Sequence, residues 1–250
     1  MTALLAVDEC CKRFGRLSAV NGVSMLVERG ELRAIIGPNG AGKTTFFNLV
    51  GGLFPPSSGR IYFGGREVTG LAPHERVALG MARTFQITEI FPELTARENL
   101  RVALEVAAGR RLSVWSPRRA EQELRARLDE PLEVGGLSDV AYRLVGELSH
   151  GDQRSTEVMM ALALDPTLLL LDEPTAGMSD HETFAIARLV RRLHQERQLT
   201  MILIEHDMRV VFHLADRITV LAEGSVLADG TPDEIARDDR VQSAYLGEPQ

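Results

Sequence analysis

Apolar positions follow two rhythms along this chain. Leu168-Leu169-Leu170-Leu171 is continuously apolar, as a parallel strand covered on both faces requires. Leu32–Ile36, Met81–Phe85 and Thr200–Ile204 read as further strands, the second ending at Gln86. Between them the spacing turns helical: Thr44–Leu53, a helix starting near Pro73, Ala96 to about Ala108, Pro117–Leu128, Ser149–Leu164, Asp180–Arg197 and Asp207–Leu214. Near the start, Leu4–Cys10 and Ala19–Val27 are β-rich, with Phe14 between them and a turn at Gly15. Arg60–Phe63, Gly64-Gly65 and Arg66–Val68 read as a hairpin. Arg217–Leu221 and Ser225–Ala228 are the last strands.

Strands alternating with helices predict an α/β fold. Residues 87–158 carry helix periodicity and few strand signals, so they read as a helical lobe inserted into that core. Helix starts are marked chemically. Thr95 with Glu98, and Thr231 with Pro232 and Glu234, have the spacing of capping boxes, and Ser149 is a good N-cap.

Composition narrows the picture modestly. With 44% hydrophobic and 25% charged residues, the chain is ordinary globular material. Its net charge of −7 argues against a general nucleic-acid-binding surface. No run approaches the roughly 18 apolar residues of a membrane span. The start, Met1–Val7, lacks a basic region and does not read as a signal peptide. Cys10 and Cys11 are adjacent, so on a strand they point apart and cannot staple distant segments. A reduced, cytosolic protein is the simplest reading. The stretch Gly109–Arg119 holds four arginines and Trp115; it suits phosphates, lipid head groups or a solvated loop.

The densest chemistry is Gly37-Pro38-Asn39-Gly40-Ala41-Gly42-Lys43-Thr44, which matches G-x-x-x-x-G-K-[ST] between a strand and a helix. Such glycines let successive N–H groups aim at phosphate oxygens, and the helix start adds partial positive charge. Lys43 would meet the β/γ-phosphates and the Thr44 hydroxyl would ligate Mg²⁺. Three more signals stand at predicted strand ends, where α/β sheets bind ligands. Asp172 suits Mg²⁺, and Glu173, leaving the strand the other way, suits a general base. His206 can bond a γ-phosphate and a water together. The Gln86 amide can ligate Mg²⁺ or water. Phe14 is either a stacking surface for adenine or a rim or core aromatic. Ser149 and Gly151 open a helix as a second anion site, one that makes sense facing a nucleotide held by another subunit.

In this order, the phosphate loop, Gln86, Leu148–Gln153, Leu168–Asp172 with Glu173, and His206 resemble the ATP-binding-cassette ATPases over essentially the whole chain. The resemblance implies a P-loop NTPase, RecA-like α/β core with an N-terminal antiparallel β subdomain, over residues 1–86 and 159–250, and an α-helical subdomain over 87–158. It implies ATP and Mg²⁺ as ligands, with Gly37–Thr44, Thr45 and Gln86 around the nucleotide and Phe14 stacked on adenine. It implies a head-to-tail pair, with Ser149 and Gly151 touching the partner's γ-phosphate. Ala82–Gln86, Phe91–Thr95, Ala176–Ser179, Glu205–Met208 and Arg240–Gly247 are similar to ATPase subunits of branched-chain amino acid importers, and of urea and short-chain amide importers.

The implied role is an importer's motor at the cytoplasmic face of the membrane. Its partners would be a second ATPase subunit, identical or sibling, two membrane-spanning permeases and, through them, an extracytoplasmic solute-binding protein. A groove between the helical lobe and the Gln86–Thr95 segment would grip a permease helix. A non-transport ATPase acting on DNA or ribosomes is disfavoured by the single phosphate loop, the negative charge and the absence of zinc-spaced cysteines. A regulator with dead catalysis is disfavoured by intact Lys43, Asp172, Glu173 and His206. The chain departs from the family pattern at His150, Asp152 and Ser179.

Overall fold

The register of parallel strands decides which residues reach a common edge. The computed structural model describes residues 3–84, 90–108 and 127–246. Among the described residues, β1 (Leu5–Phe14), β2 (Leu17–Val27), β4 (Ser58–Phe63) and β5 (Arg66–Glu67) form an antiparallel sheet in the order β2-β1-β4-β5. The second sheet contains β3 (Leu32–Ile36), β6 (Met81–Arg83), β7 (Leu168–Asp172), β8 (Thr200–Ile204), β9 (Arg217–Ala222) and β10 (Ser225–Gly230). Its order is β10-β9-β3-β8-β7-β6, parallel except for the β9–β10 hairpin. β3, β7 and β8 are buried at every position, which accounts for their lack of alternation.

Successive residues of these strands serve opposite layers. Leu168 and Leu170 pack with Phe46, Phe47 and Leu49 of α1 (Lys43–Gly51) and with Val20 and Val23 of β2. Leu169 and Leu171 face the other way, towards α5 (His150–Leu162) and α6 (Asp180–Arg197), among Val158, Met159, Ile186 and Val190. The helical lobe joins this second layer. α3 (Ala96–Ala107) and helical residues 127–134 (α4) contribute Leu100, Leu104, Leu128 and Leu132 to the same cluster. α5 runs unbroken through position 158 and belongs to both lobe and core. α2 (Pro73–Ala78), α7 (Met208–Leu214), α8 (Pro232–Ala236) and α9 (Asp239–Leu246) complete the described helices. None of the described helices is long and apolar enough to cross a membrane.

Capping chemistry sets the helix starts as the sequence predicts. Thr95–Glu98 and Thr231–Glu234 form reciprocal capping boxes, and Ser149 accepts from the Asp152 N–H. Other boundaries differ. Phe14 is the last residue of β1, because β2 already begins at Leu17 and leaves only Gly15-Arg16 for the turn. α1 stops at Gly51, where Gly52 turns left-handed and donates to the last carbonyls. Phe85, Gln86, the basic stretch with Trp115, most of the predicted Pro117–Leu128 helix and Gly247 lie outside the described residues.

One buried cation holds the end of α1. Arg76, on α2, is almost wholly inaccessible. Its Nη1 donates to Leu49 O at 2.9 Å and Val50 O at 2.5 Å, its Nε to Leu71 O at 3.1 Å and its Nη2 to Thr69 O at 3.2 Å. Both carbonyls lie at the helix end, where intrahelical partners run out; Leu49 O also accepts from Gly52 N–H at 3.2 Å. Burial lowers the Arg76 pKa to about 10, against an opposing pull from Cys10. Arg76→Leu fills similar space but strands those acceptors, so it should lower unfolding free energy by about 3 kcal/mol or more in urea titrations. A loss below about 1 kcal/mol would show that the α1 terminus does not depend on this residue.

Candidate functional site

The predicted phosphate loop leaves β3 and turns directly into α1. Gly42 adopts φ 93°, and a Cβ there would lie 2.3 Å from Ala19 O on β2. Gly40 has φ 79° but nothing within 4 Å of its would-be Cβ, so its face is open. Lys43 is buried and folds back over the loop, its Nζ donating to Gly37 O at 2.6 Å and Pro38 O at 3.0 Å. Pro38 O also accepts from Ala41 N–H at 3.2 Å. Asn39 and Thr44 are exposed, and Thr45 is half-buried. A buried ammonium beneath an open glycine-rich turn at a helix start is a site for anionic oxygens.

Two neighbouring strands bring the acidic pair and the histidine to the same edge. Asp172 stands opposite Ile204 in the β7–β8 register, and Ile204 stands opposite Ile35 in the β3–β8 register. Asp172 is buried; its Oδ2 accepts from Arg83 Nη2 at 2.8 Å, while its Oδ1 is buried with no hydrogen-bond partner. Burial raises its pKa, opposed by the bond and charge of Arg83. An unsatisfied, buried carboxylate oxygen at a strand end fits a hard cation such as Mg²⁺, with the Thr44 hydroxyl as a further oxygen donor. Among the described residues no group of three or more His, Cys, Asp or Glu side chains could hold a metal by itself.

Glu173 turns away from Asp172 at φ 45°, a left-handed conformation uncommon outside glycine. Its Oε1 lies 2.9 Å from His206 Nε2, so the predicted base and the predicted γ-phosphate histidine meet directly. Gln86, the remaining member of the predicted set, lies outside the described residues.

Ser149 and Gly151 begin α5. The Ser149 hydroxyl donates to Asp152 Oδ2 at 2.9 Å and accepts from Asp152 N at 3.1 Å. Gly151 N–H donates to Glu182 Oε1 at 3.3 Å, at the start of α6. His150 and Gln153 line a cleft with Glu173, Pro174 and Met178. Ser179 acts locally, capping α6 in a reciprocal box with Glu182. Phe14 is 48% exposed and meets Phe54 edge-on, with ring centroids 5.6 Å apart, so it is a rim aromatic with open surface rather than a core residue.

Sequence reasoning misses three residues of the site. Arg83 holds Asp172 by its carboxylate. Arg154 holds it by its backbone, Nη2 donating to Asp172 O at 2.5 Å, and pairs with Glu157 at 2.6 Å. Glu205 is a buried carboxylate bridging the loops after β7 and β8. The only signal for Arg83 and Arg154 is a charge inside an apolar strand or on a buried helix face, which must find a partner, and for Glu205 its place beside His206.

Arg83 and Glu157 also floor an apolar groove of about 310 Å³ walled by Leu53, Val77, Phe91, Val106, Met160 and Leu164. Of these, Leu53, Val77, Phe91 and Val106 are exposed. Such a patch on a polar surface marks an interaction site.

Comparison with known proteins gives the family. The family model described as ABC transporter matches residues 20–176, and the model described as branched-chain amino acid ATP-binding cassette transporter matches residues 225–249. The chain is 41% identical over 251 residues to the high-affinity branched-chain amino acid transport ATP-binding protein BraF of Pseudomonas aeruginosa, covering 98% of each. It is 40% identical over 250 residues to LivG of Escherichia coli, a protein of the same description, again covering 98% of each. Among solved structures, a nucleotide-free ATP-binding cassette from an ABC transporter superposes with TM-score 0.85 at 30% identity, covering 99% of this chain and 100% of that one. A dimeric cassette bound to ADP and Pi in a post-hydrolysis state gives TM-score 0.76 at 27% identity, covering 91% and 98%.

The two loop glycines separate shape from chemistry. Gly42→Ala collides with backbone, so both thermal stability and nucleotide binding should fall. Gly40→Ala meets no atom and carries only left-handed strain of about 1 kcal/mol. It should stay folded yet bind Mg·ATP at least about tenfold more weakly, because its methyl enters the space where oxygens must approach. Equilibrium binding with thermal melts distinguishes them; normal binding by Gly40→Ala would remove that face from the site.

Proposed function

The chain belongs to the ABC transporter ATPases, and from that premise we propose that it hydrolyses ATP to energise import of branched-chain or other hydrophobic amino acids. The observation that carries the hydrolytic part is the 2.9 Å approach of His206 Nε2 to Glu173 Oε1 at the strand edge beside the phosphate loop. Lys43 and the Gly37–Thr44 amides hold the phosphates. Asp172 Oδ1 and the Thr44 hydroxyl would hold Mg²⁺, with Gln86 as a further ligand. The metal, when bound, offsets charge on the β- and γ-phosphates. Glu173 orients the attacking water and draws its proton, and His206 fixes the Glu173 carboxylate and meets the γ-phosphate. Phe14 stacks on adenine.

Ser149 and Gly151 belong to the nucleotide of a second cassette, identical or sibling. ATP then closes a head-to-tail pair and hydrolysis opens it. The amino-acid assignment rests on full-length identity to BraF and LivG and on the match at residues 225–249. Import of urea or short-chain amides is the alternative within the same branch.

The apolar groove at Phe91 and Val106 is the seat of a permease helix, which would hold the chain at the cytoplasmic face of the membrane. Two permeases and a solute-binding protein beyond them complete the assembly. No nucleic acid partner is implied.

Glu173→Gln keeps the side chain's shape but cannot take a proton. It should bind Mg·ATP normally, accumulate as a dimer and lose at least about 100-fold in turnover. Unchanged hydrolysis would dismiss Glu173 as the base. Phe91→Ala together with Val106→Ala should reduce co-purification with the membrane subunits while soluble Mg·ATP binding stays within about twofold, since rim truncations act on the docked surface alone. Equal losses in both assays would place the groove elsewhere.

A further inference from the structure

Glu205 is a buried carboxylate with four donors aimed at it. Thr175 N and Thr175 Oγ1 donate to its Oε1 at 3.0 Å and 2.6 Å. His206 N and Asp207 N approach its Oε2 at 3.0 Å and 3.5 Å. The residue is 4% exposed, and its described partners are all neutral N–H and O–H groups. A carboxylate is acceptor-only, so this surround meets both its oxygens with fixed N–H and O–H donors in place of water.

These donors come from two separate loops. Thr175 follows Glu173 on the loop after β7, whereas His206 and Asp207 are on the loop after β8. Each loop supplies one member of the Glu173–His206 pair. Both are otherwise poorly held. His206 is exposed, and Glu173 sits in a left-handed conformation that costs about 1–2 kcal/mol and persists only when its surroundings over-determine it. The Glu173 N–H bond to Ile204 O at 3.0 Å pins the start of the turn, and Glu205 pins its far side through Thr175.

We propose that Glu205 is a positioning residue that sets the separation and orientation of Glu173 and His206 by clamping their two loops together. Buried at 4% exposure, it acts through the loops that carry Glu173 and His206. This rests on the hydrolytic reading of that pair. The clamp gives the site a fixed geometry that an exposed His206 and a half-buried Glu173 alone do not have, and electrostatic preorganisation is where such sites draw most of their rate.

The test is a double-mutant cycle on the full chain, with Mg·ATP turnover and binding measured separately. In Glu205→Gln one oxygen becomes an NH₂ donor, so one loop's donors face another donor. Turnover should fall about 10- to 100-fold, the scale of losing an orienting partner, with Mg·ATP affinity within about twofold. In a His206→Ala background the same substitution should cost less than about twofold, because the Glu173–His206 pairing that the clamp sets is already lost. Thr175→Val removes only the Oγ1 donor and should give a smaller loss with the same dependence on His206, which keeps the inference testable should Glu205→Gln not fold. Equal losses in both backgrounds, or a loss confined to affinity, would overturn the clamp. Full turnover by His206→Ala alone would instead strike the hydrolytic reading on which it stands.

Discussion

Three strands in one register support the whole site. Ile35, Ile204 and Asp172 lie in a single row across β3, β8 and β7. Side chains in that row point by strand parity, and the chain leaves it upward on each strand. The phosphate loop, the Glu205–His206 turn and Glu173 therefore emerge side by side from segments far apart in sequence. A one-residue slip of β7 against β8 would swap the directions of Asp172 and Glu173 and turn Leu169 and Leu171 towards α1. The two apolar layers that register satisfies oppose such a slip, so core packing holds the chemical geometry.

Burying that edge requires that its charges be answered. Asp172 receives Arg83 on its side chain and Arg154 on its carbonyl, and Arg154 is in turn paired with Glu157. Breaking one partner of such a group costs more than the intact group contributes, because an uncompensated charge remains buried. Arg83 and Glu157 are also the polar floor of the apolar groove. Groove and strand edge thus share structural members: an occupant that shifts this floor acts on atoms one or two hydrogen bonds from Asp172. That is a physical contact path, argued from shared residues and not from proximity alone.

Much of this is legible in the sequence because it is local. Strand–turn–helix around Gly37–Thr44, the four leucines before Asp172, and the caps at Thr95, Ser149 and Thr231 each depend on residues within a few positions. Glu205 is legible only as half of a short motif with His206. Its partner Thr175 is 30 residues away, and pairing them requires knowing that β7 and β8 are neighbours. Arg83 and Arg154 are hidden likewise, since their common target is supplied by the sheet order. Phe14 reads as lying between strands because the apolar signal of β2 weakens at Leu17 and Ser18, both exposed.

Ser179 shows how a departure from a family pattern can be read in physical terms. The chain departs from the pattern of the family it resembles at this position. The serine instead caps α6 and shares Glu182 with Gly151: Oε2 of that carboxylate closes the capping box, and Oε1 accepts the Gly151 N–H. The bonds from Ser179 and Gly151 keep Glu182 ionised, lowering its pKa. A Cβ on Gly151 would lie 3.2 Å from Glu182 Cγ, so the start of α5 is fitted against the start of α6 at close range. The start of α5 and the loop after Glu173 are therefore joined within one chain. Any oxyanion that takes the Gly151 N–H must compete with Glu182, which ties occupation of that helix start to the cap of the next helix.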